Sequence, residues 1–457
     1  MLVTQLYTLL AQGWQEVFAQ TRTLRRALEH AFALPCVLGR RTLSRTVCAL
    51  GRAYQDWSAD YKIFSRSRWS AEQLFDPVFD EHLRRYPQGP IAVAFDDTQL
   101  AKSGKHIPTA TWHRDPMSPP FRLNLIFGLR FVQASLLFPH YREGDFAARA
   151  YPVGFQEAPS VRKPGRRAPP EALQEYRLLR KLKNLSTQTL EMLRDLRERL
   201  DAKGAGPRLL LAALDGSFCN RTFFRPSLER IALVARCRKD ARLCFPAPAG
   251  SRRRYGLETF TPQQVRQDAA RPWQRARVHF AGTWRRIRYK QVRGVLWKRG
   301  AGRRPLRLIV LAPQPYKASP QSRTGYRQPA YLLSTDTTSS LLLLIQTYCD
   351  RWQIELNHRD EKSLLGVGQA QVRASLSVPR HPAFAVACYS ALLLAGLRAF
   401  GPGRPACCLP LPQWRSESKR ASLLDLLSLL RSEMNETPVS GFLDQHFGEN
   451  LVLHANT

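Results

Sequence analysis

The sequence predicts an α/β fold: a mixed sheet flanked by helices, with a β-rich basic insertion and a helical domain at the N-terminus. Two short apolar runs, 91–95 and 208–214, have the length and composition of buried strands. Segments with helical periodicity lie between and after them, at 171–203 and from about residue 339 onward. Strands that alternate with helical segments are typical of an α/β architecture.

The N-terminal part, residues 1–88, repeats apolar side chains at helical spacing and predicts a helical, DNA-binding domain. A Pro- and Gly-containing turn at 86–90 then leads into the strand Ile91–Phe95, which delivers Asp96 and Asp97 at its end. Two further apolar runs, 123–132 and 134–138, predict two more strands and therefore a three-stranded meander.

A linker rich in Pro and Arg, residues 158–170, precedes a helical pattern over 171–203 that Gly204 ends. The strand at 208–214 follows and ends in Asp215, so the succession of core strand and acid occurs twice. A third short apolar run at 231–235 predicts another strand.

From about 245 to 325 the composition becomes Arg-rich, turn-rich and aromatic, and the alternation of side chains favours β structure. Strands at 306–311 and 331–334 and a helix from about Ser339 are predicted next. We therefore divide the chain into five parts. They are a helical domain (1–88), the first part of an α/β core (89–244), a basic insertion (245–325), the remainder of the core with an acidic helix (326–402) and a C-terminal helical region (403–457).

The charge balance predicts a polyanionic partner. Seventy Lys and Arg face thirty-six Asp and Glu, which leaves a net charge of +34. A membrane surface is the competing partner, but no run approaches the roughly 20 apolar residues that cross a bilayer. The longest apolar run, around 383–397, predicts a buried helix, and the N-terminus lacks the pattern of a signal peptide, so we expect a cytoplasmic protein without a membrane partner. The nine cysteines are scattered and suggest neither disulfides nor a zinc site.

The most informative segment runs from Tyr348 to Lys362, because Tyr348, Arg351, Glu355 and Lys362 stand at offsets close to whole helical turns. At about 100° per residue, a continuous helix would hold the four side chains within an arc of roughly 60°. A carboxylate flanked by two cations and a phenol is what a metal-dependent enzyme acting on a nucleic acid backbone needs.

Asp97, Asp215 and Glu355 are the three acids that stand out by position: two end core strands and the third lies on a late helix. If adjacent strands bring the first two together and the helix adds the third, three carboxylates converge. Three converging carboxylates are unfavourable in an apolar core. They suit a Mg²⁺ site, because Mg²⁺ prefers hard oxygen ligands. Two ions about 3.5–4 Å apart can support in-line attack on a phosphodiester.

These motifs resemble those of the DDE transposases of bacterial insertion sequences, in the branch with a Tyr-x2-Arg-x3-Glu-x6-Lys signature and a ribonuclease-H-like catalytic core. The signature matches at Tyr348, Arg351, Glu355 and Lys362. The first acidic box matches at 95–98 and the second at 215–218, so the resemblance spans about 90–400.

The resemblance implies cut-and-paste DNA transposition, by cleavage and strand transfer at the terminal inverted repeats of the protein's own element. It implies that Asp97, Asp215 and Glu355 are catalytic and ligate two Mg²⁺ ions, with Mn²⁺ as a substitute. Asp97 is preferred to Asp96 because it directly precedes Thr98, as in the family box.

In the same way, the resemblance implies that Tyr348, Arg351 and Lys362 bind DNA phosphates. The partners implied are double-stranded DNA, as element ends and target, and a second copy of the chain in a synaptic homodimer, in the bacterial cytoplasm at the nucleoid. A base flipped from the element end would stack on an aromatic residue, for which Tyr326, Trp284 and Trp297 are all open.

Each motif also has an ordinary structural interpretation. Asp96 and Asp97 could cap a turn, Asp215 with Gly216 is a common turn pair, and Arg351 with Glu355 could be a plain helix ion pair. Two other functions therefore stand beside transposition. One is a non-catalytic DNA-binding protein derived from a transposase, and the other is a structure-selective nuclease with the same metal site.

Overall fold

The computed structural model describes residues 1–115, 118–119, 121–280, 282–317, 321–414, 418–435, 439 and 441–445. The architecture is mixed α/β: one large mixed sheet carries helices on both faces. The strands, in chain order, are β1 Ile91–Ala101, β2 Thr111–Arg114, β3 Leu125–Phe138, β4 Arg149–Glu157, β5 Leu210–Leu214, β6 Ile231–Arg236, β7 Leu243–Pro246, β8 Tyr255–Phe260, β9 Gln274–Phe280, β10 Thr283–Val295, β11 Leu306–Leu311, β12 Pro315–Tyr316, β13 Gly325–Tyr326 and β14 Ala330–Ser334.

The helices begin near the first residue and continue beyond residue 420. They are α1 Leu2–Gly13, α2 Thr21–Cys36, α3 Leu43–Ala49, α4 Ser58–Ser65, α5 Asp76–Arg85, α6 Pro170–Leu182, α7 Leu185–Leu200, α8 Arg221–Phe224, α9 Pro262–Gln267, α10 Leu341–Asp350, α11 Gln353–Ser363, α12 Ser377–Phe400 and α13 Leu423–Asn435.

The large sheet has the order β2-β3-β1-β5-β6-β14-β11-β10-β9, and β4 also pairs with β3. Strand β1 runs antiparallel to β3 and parallel to β5, and β5 runs parallel to β6. The predicted adjacency of the two acid-ending strands is therefore confirmed. Strands β9 to β11 come from the basic region 245–325 and extend this same sheet, since β11 pairs with β14.

Each face of β1 packs against different helices, because successive side chains on a strand point to opposite faces. Val93 and Phe95 join the main core, which also contains residues of α1, α7 and α12. Ala92 and Ala94 pack against Ile354 of α11 on the other face. The sheet therefore separates α12, which packs on one face, from α11, which packs on the other.

Helix α12 is the centre of the main core. It is long and apolar enough, by length and composition, to span a membrane, and 83% of its most apolar window is buried inside the protein. It alone among the described residues meets that criterion. The predicted buried helix around 383–397 is thereby confirmed.

Three predicted elements differ from the structure. The residues predicted as two strands, 123–132 and 134–138, form the single strand β3, since no turn-forming residue separates them. The helix predicted over 171–203 is divided into α6 and α7, because the Asn184 side chain accepts a hydrogen bond from the Thr187 amide (3.0 Å) and begins a new helix there. The helix predicted from Ser339 through Lys362 is divided into α10 and α11.

Buried Glu81 ties the N-terminal helices to α12. Its carboxylate accepts hydrogen bonds from Arg85 on its own helix α5 (2.6 Å) and from Arg398 of α12 (2.9 Å). Arg84 also donates to it, from a side chain that is 64% exposed. A fully buried carboxylate is tolerated here because several guanidinium groups compensate for its lost hydration.

We predict that Glu81→Gln lowers the free energy of unfolding by about 2–3 kcal/mol, because two partly buried arginines lose their carboxylate. Urea unfolding of the full chain measures the change. Arg84→Gln is the matched control and should cost under about 1 kcal/mol, since Arg84 is largely solvated. Equal losses in the two variants would contradict a role for the buried pairing.

Candidate functional site

Two carboxylates meet where β1 and β5 run side by side. Phe95 is level with Leu214 in this parallel pair, so the residues that follow them, Asp96 and Asp215, are also level. Asp96 has the same orientation as Ala94, which faces α11. Asp215 precedes a short 3₁₀ turn at Gly216–Phe218, where the chain leaves the sheet. The end of the strand pair thus presents two acids to the α11 side.

The third acid comes from the bend between α10 and α11. At this bend the Trp352 amide bonds the Cys349 carbonyl (3.4 Å) and the Glu355 amide bonds the Trp352 carbonyl (3.1 Å), a 3₁₀ pattern between two α-helices. The predicted continuous helix is therefore wrong at Arg351 and Trp352. Glu355 lies in the first turn of α11, directly after the bend.

Arg351 stands between the acids at this bend. Its Nη2 lies 3.0 Å from Glu355 Oε1 and 4.0 Å from Asp215 Oδ1, and its Nη1 lies 3.9 Å from Asp96 Oδ2. The Arg351 side chain is only 9% exposed. The buried Arg351 guanidinium therefore lies within 4.0 Å of three carboxylates, which come from β1, the end of β5 and α11.

Asp97, the acid chosen from the sequence, has a different neighbour. It follows Asp96 in the strand and therefore points to the opposite face of β1. Its Oδ2 lies 3.6 Å from Nε of Arg130 on β3. The structure brings together Asp96, Asp215 and Glu355, and it holds Asp97 beside Arg130.

Burial and crowding control the electrostatics of the site. Burial raises the pKa of Asp96 to about 6; His358 and Arg351 oppose this shift, and Asp97 and Asp215 add to it. Burial also raises the pKa of Asp97; Arg130 and His358 oppose this shift, and Asp215 adds to it. For Arg351, burial alone would lower the pKa, but Asp96 and Asp215 raise it above its usual range. The carboxylates of the site therefore carry more negative charge than the Arg351 guanidinium offsets.

Several buried polar atoms at the site have no hydrogen-bond partner within the described part of the chain. They are Arg351 Nη1, Arg130 Nε and both ring nitrogens of His358. The nearest acid to His358 is Glu361, whose Oε2 lies 3.5 Å from Nδ1. Buried polar atoms without partners are rare in folded proteins and require an explanation, such as a bound ion or ligand.

The remaining residues of the signature lie around this group. The Tyr348 ring is half-buried, with the Arg351 guanidinium carbon 6.0 Å from its centre. Lys362 is on the exposed side of α11. Desolvation lowers the pKa of Lys362, and Glu361, Asp96 and Asp97 oppose that shift. Tyr348, Arg351 and Lys362 therefore stay near the acids although a 3₁₀ turn interrupts the α-helix.

Arg236 was missed by the sequence reasoning. It ends β6, whose Ala235 is level with Leu214 of β5, so Arg236 lies on the strand next to Asp215. The signal was available: a charged residue directly after the predicted strand 231–235 repeats the pattern by which the acids were found.

Two cavities adjoin the acids, and Arg236 lines both. One, of about 660 Å³, is lined by Asp215 and by basic side chains of residues 236–239 and Arg266. The other, of about 600 Å³, is lined by Arg351, Tyr348 and the exposed aromatic residues Tyr316, Tyr326 and Trp352. A basic cavity and an aromatic cavity that share Arg236 offer the two kinds of side chain that bind a nucleic acid strand.

Within the described ranges, no group of three or more His, Cys, Asp or Glu side chains is spaced to hold a metal ion as it stands. The Arg351 guanidinium lies between the three acids that would form one.

Comparison with known proteins supplies no family for this chain. No family model matches the sequence. No curated protein matches it either.

We predict that Asp96 makes the stability of the protein depend on pH. Its pKa is about 6 in the folded state against an ordinary 3.8, so the folded protein binds more protons between these values. Stability therefore falls as pH rises through this window, and the penalty is fully present above it. Asp96→Asn removes the penalty and should stabilise the metal-free protein by roughly 1–3 kcal/mol near pH 7.5.

Urea unfolding of the variant and the unaltered protein, without divalent cations, measures the difference near pH 4 and pH 7.5. The gain should be close to zero at the lower pH. Glu229→Gln, at a side chain that is 88% exposed, is the control and should show little difference at either pH. If the Asp96→Asn protein is no more stable than the unaltered one near pH 7.5, the raised pKa of Asp96 is refuted.

Proposed function

We propose that this protein is a DDE transposase with a ribonuclease-H-like core, which cuts and joins the DNA ends of its own insertion sequence. One observation carries the proposal: Asp96, Asp215 and Glu355 converge within 4.0 Å of a single guanidinium. They come from two adjacent strands and a helix far along the chain, as the resemblance leads one to expect. The sheet order around β1 and β5 is compatible with that core.

The donor set fits Mg²⁺. Three carboxylates offer hard oxygen ligands, and the raised pKa of Asp96 marks a site that a further cation would stabilise. Asp96, Asp215 and Glu355 would hold the ions once Arg351 moves from between them. This assignment uses Asp96 instead of Asp97, because side chains alternate between the faces of β1 and Asp96 is on the face of Glu355. The resemblance, by contrast, favours Asp97. When bound, the two ions stabilise the attacking and leaving oxygens of phosphoryl transfer.

The chain's own residues position the DNA strand and manage its charge. A water oxygen attacks the scissile phosphorus, its proton passes to solvent or a nearby base, and the bond to the 3′ oxygen breaks to leave a 3′ hydroxyl. In strand transfer, that hydroxyl attacks a phosphodiester of the target and displaces a second 3′ oxygen. Arg351, Tyr348 and Lys362 bind the phosphates beside the reacting one, and in doing so Arg351 exchanges carboxylate partners for phosphate oxygens.

The aromatic cavity supports one choice for the residue on which a flipped base would stack. Tyr326 is 67% exposed and lines the cavity that contains Arg351. Trp284 packs edge-on against Tyr141 and His279, and Trp297 packs against Phe224. We therefore propose Tyr326 for this role.

The net charge of +34 supports duplex DNA as the substrate, both as element ends and as target. Two ends must be cut and joined together, so the working form would be a homodimer. The burial of α12 supports a protein without a membrane span, in the cytoplasm and at the nucleoid.

A second candidate is a DNA-binding protein that has lost catalysis. The observation that favours it is that the Arg351 guanidinium already occupies the space between the three acids, within 4.0 Å of each. The two functions differ in whether divalent ions displace the guanidinium.

We predict that Asp96→Asn, Asp215→Asn and Glu355→Gln each lower the rate of Mg²⁺-dependent cleavage of element-end DNA by roughly 10²–10³-fold or more, because each removes a charged metal ligand. Cleavage of end-labelled duplex and binding of the same duplex are measured in parallel. Binding should change little.

Asp97→Asn is the matched variant at the neighbouring position. It should retain cleavage if Asp96 is the ligand, and a loss confined to Asp97→Asn would return the role to Asp97. An unaltered protein that binds the DNA but never cleaves it with Mg²⁺ or Mn²⁺ would favour the non-catalytic function. Cleavage without joining to a target would indicate a nuclease.

We also predict that Arg351→Ala and Lys362→Ala weaken binding of element-end DNA and reduce its salt dependence, because each removes a cation that binds a phosphate. The slope of log K against log salt should fall by about 0.9 for each phosphate that the variant no longer neutralises. Arg84→Gln, on the exposed side of α5, is the control and should keep the full slope. Unchanged slopes in both test variants would contradict phosphate binding.

A further inference from the structure

Helix α6 stands apart from the core. None of its residues is buried, and Leu178 and Leu182 are 57% and 55% exposed. Helices of this length are marginal in water when they stand alone. Within the described residues, α6 therefore gains little stability from the rest of the chain, which is typical of a segment that is held by a partner.

The segment that contains α6, residues 158–184, is strongly basic. It carries eight cations and two acids, a net charge of +6, and the cations are Arg162, Lys163, Arg166, Arg167, Arg177, Arg180, Lys181 and Lys183. None of the eight makes an ion pair or donates a side-chain hydrogen bond in the described part of the chain. All are free to bind an external anion.

Both ends of this segment are fixed to the fold. At one end, Glu157 of β4 is level with Phe131 of β3, which is level with Thr98, the residue after Asp97. At the other end, the Asn220 amide donates to Ser186 Oγ (2.8 Å), a few residues beyond Asp215. The basic segment therefore leaves the fold two strands away from β1 and rejoins it at the start of α7, which bonds the segment that follows Asp215.

We propose that residues 158–184 form a DNA-binding arm, whose arginines and lysines contact the phosphate backbone of duplex DNA. The position of the arm relative to the reacting strand rests on the proposed function, but its DNA binding does not require catalysis. A second copy of the chain is the other conceivable occupant. It is disfavoured because a symmetric contact would bring two segments of charge +6 together.

The test compares the unaltered full chain with the triple variant Arg177→Gln, Arg180→Gln and Lys181→Gln. Glutamine has nearly the same helix propensity as arginine and lysine, so the change is one of charge. Binding to a duplex of arbitrary sequence is measured over a range of salt concentrations with EDTA present, so that no chemistry contributes. The slope of log K against log salt should fall by about 2–3, with affinity at least tenfold lower at low salt.

Glu171→Gln with Glu175→Gln is the control in the same helix, and it should bind DNA as tightly as the unaltered chain or more tightly. An unchanged salt slope in the triple variant would overturn the arm. The arm would also be overturned if the double variant Leu178→Gln with Leu182→Gln lost oligomeric mass but kept its DNA affinity. Helix α6 would then be an interface between copies of the chain. A reduced slope in the triple variant together with an unaltered chain that never cleaves DNA would leave the arm intact and refute only the transposase.

Discussion

The candidate site depends on one interaction, the contact of the Arg351 guanidinium with Asp96, Asp215 and Glu355. Three carboxylates at this distance repel one another, and one guanidinium offsets only one of their three charges. Burial raises the pKa of Asp96 to about 6, and repulsion from Asp97 and Asp215 adds to that shift. A protein with a net charge of +34 thus keeps a local excess of negative charge at the end of its central strands. A divalent cation relieves that excess, and the surrounding cations bind the polyanion that would accompany it.

This interaction requires two features of the fold. The parallel pairing of β1 with β5 sets Asp96 level with Asp215, and a shift of one residue would turn one acid to the other face. On the helix, Arg351 and Glu355 stand four residues apart across the 3₁₀ turn between α10 and α11, a spacing that makes their side chains neighbours. Ile354, fully buried against Ala94, fixes α11 on the sheet immediately beside Glu355. A packing residue and an acid of the candidate site are therefore adjacent on one helix.

Much of this arrangement could be predicted from the sequence. The strands that end in acids are recognisable because short apolar runs bounded by polar residues are buried strands, and their adjacency follows from the α/β pattern. The spacing of Tyr348, Arg351, Glu355 and Lys362 identifies the helix that joins them. The bend at Arg351 could not be predicted, because the residues there are ordinary helix formers and no Pro or Gly marks it.

The choice between Asp96 and Asp97 depends on information that a motif does not contain. A family box compares positions along the chain, whereas the face of a strand depends on its register against β3 and β5. Ala94 faces α11, and that parity puts Asp96 on the side of Glu355 and Asp97 on the side of Arg130. The same parity could have been applied to the sequence only if the face covered by α11 were known in advance, and that face is set by packing between residues more than 250 positions apart.

The unpartnered polar atoms and the basic cavity lie at the ends of the same central strands, and this gives them a common explanation. Arg351 Nη1 and both nitrogens of His358 are buried there without partners among the described residues. The basic cavity beside Asp215 adjoins the same strand ends. Leaving buried donors unpaired costs about 1–3 kcal/mol each, and a fold retains that cost where a ligand removes it. Phosphate oxygens accept hydrogen bonds from guanidinium and imidazole N–H groups, so a DNA backbone laid along these strand ends would supply the acceptors that the chain itself does not.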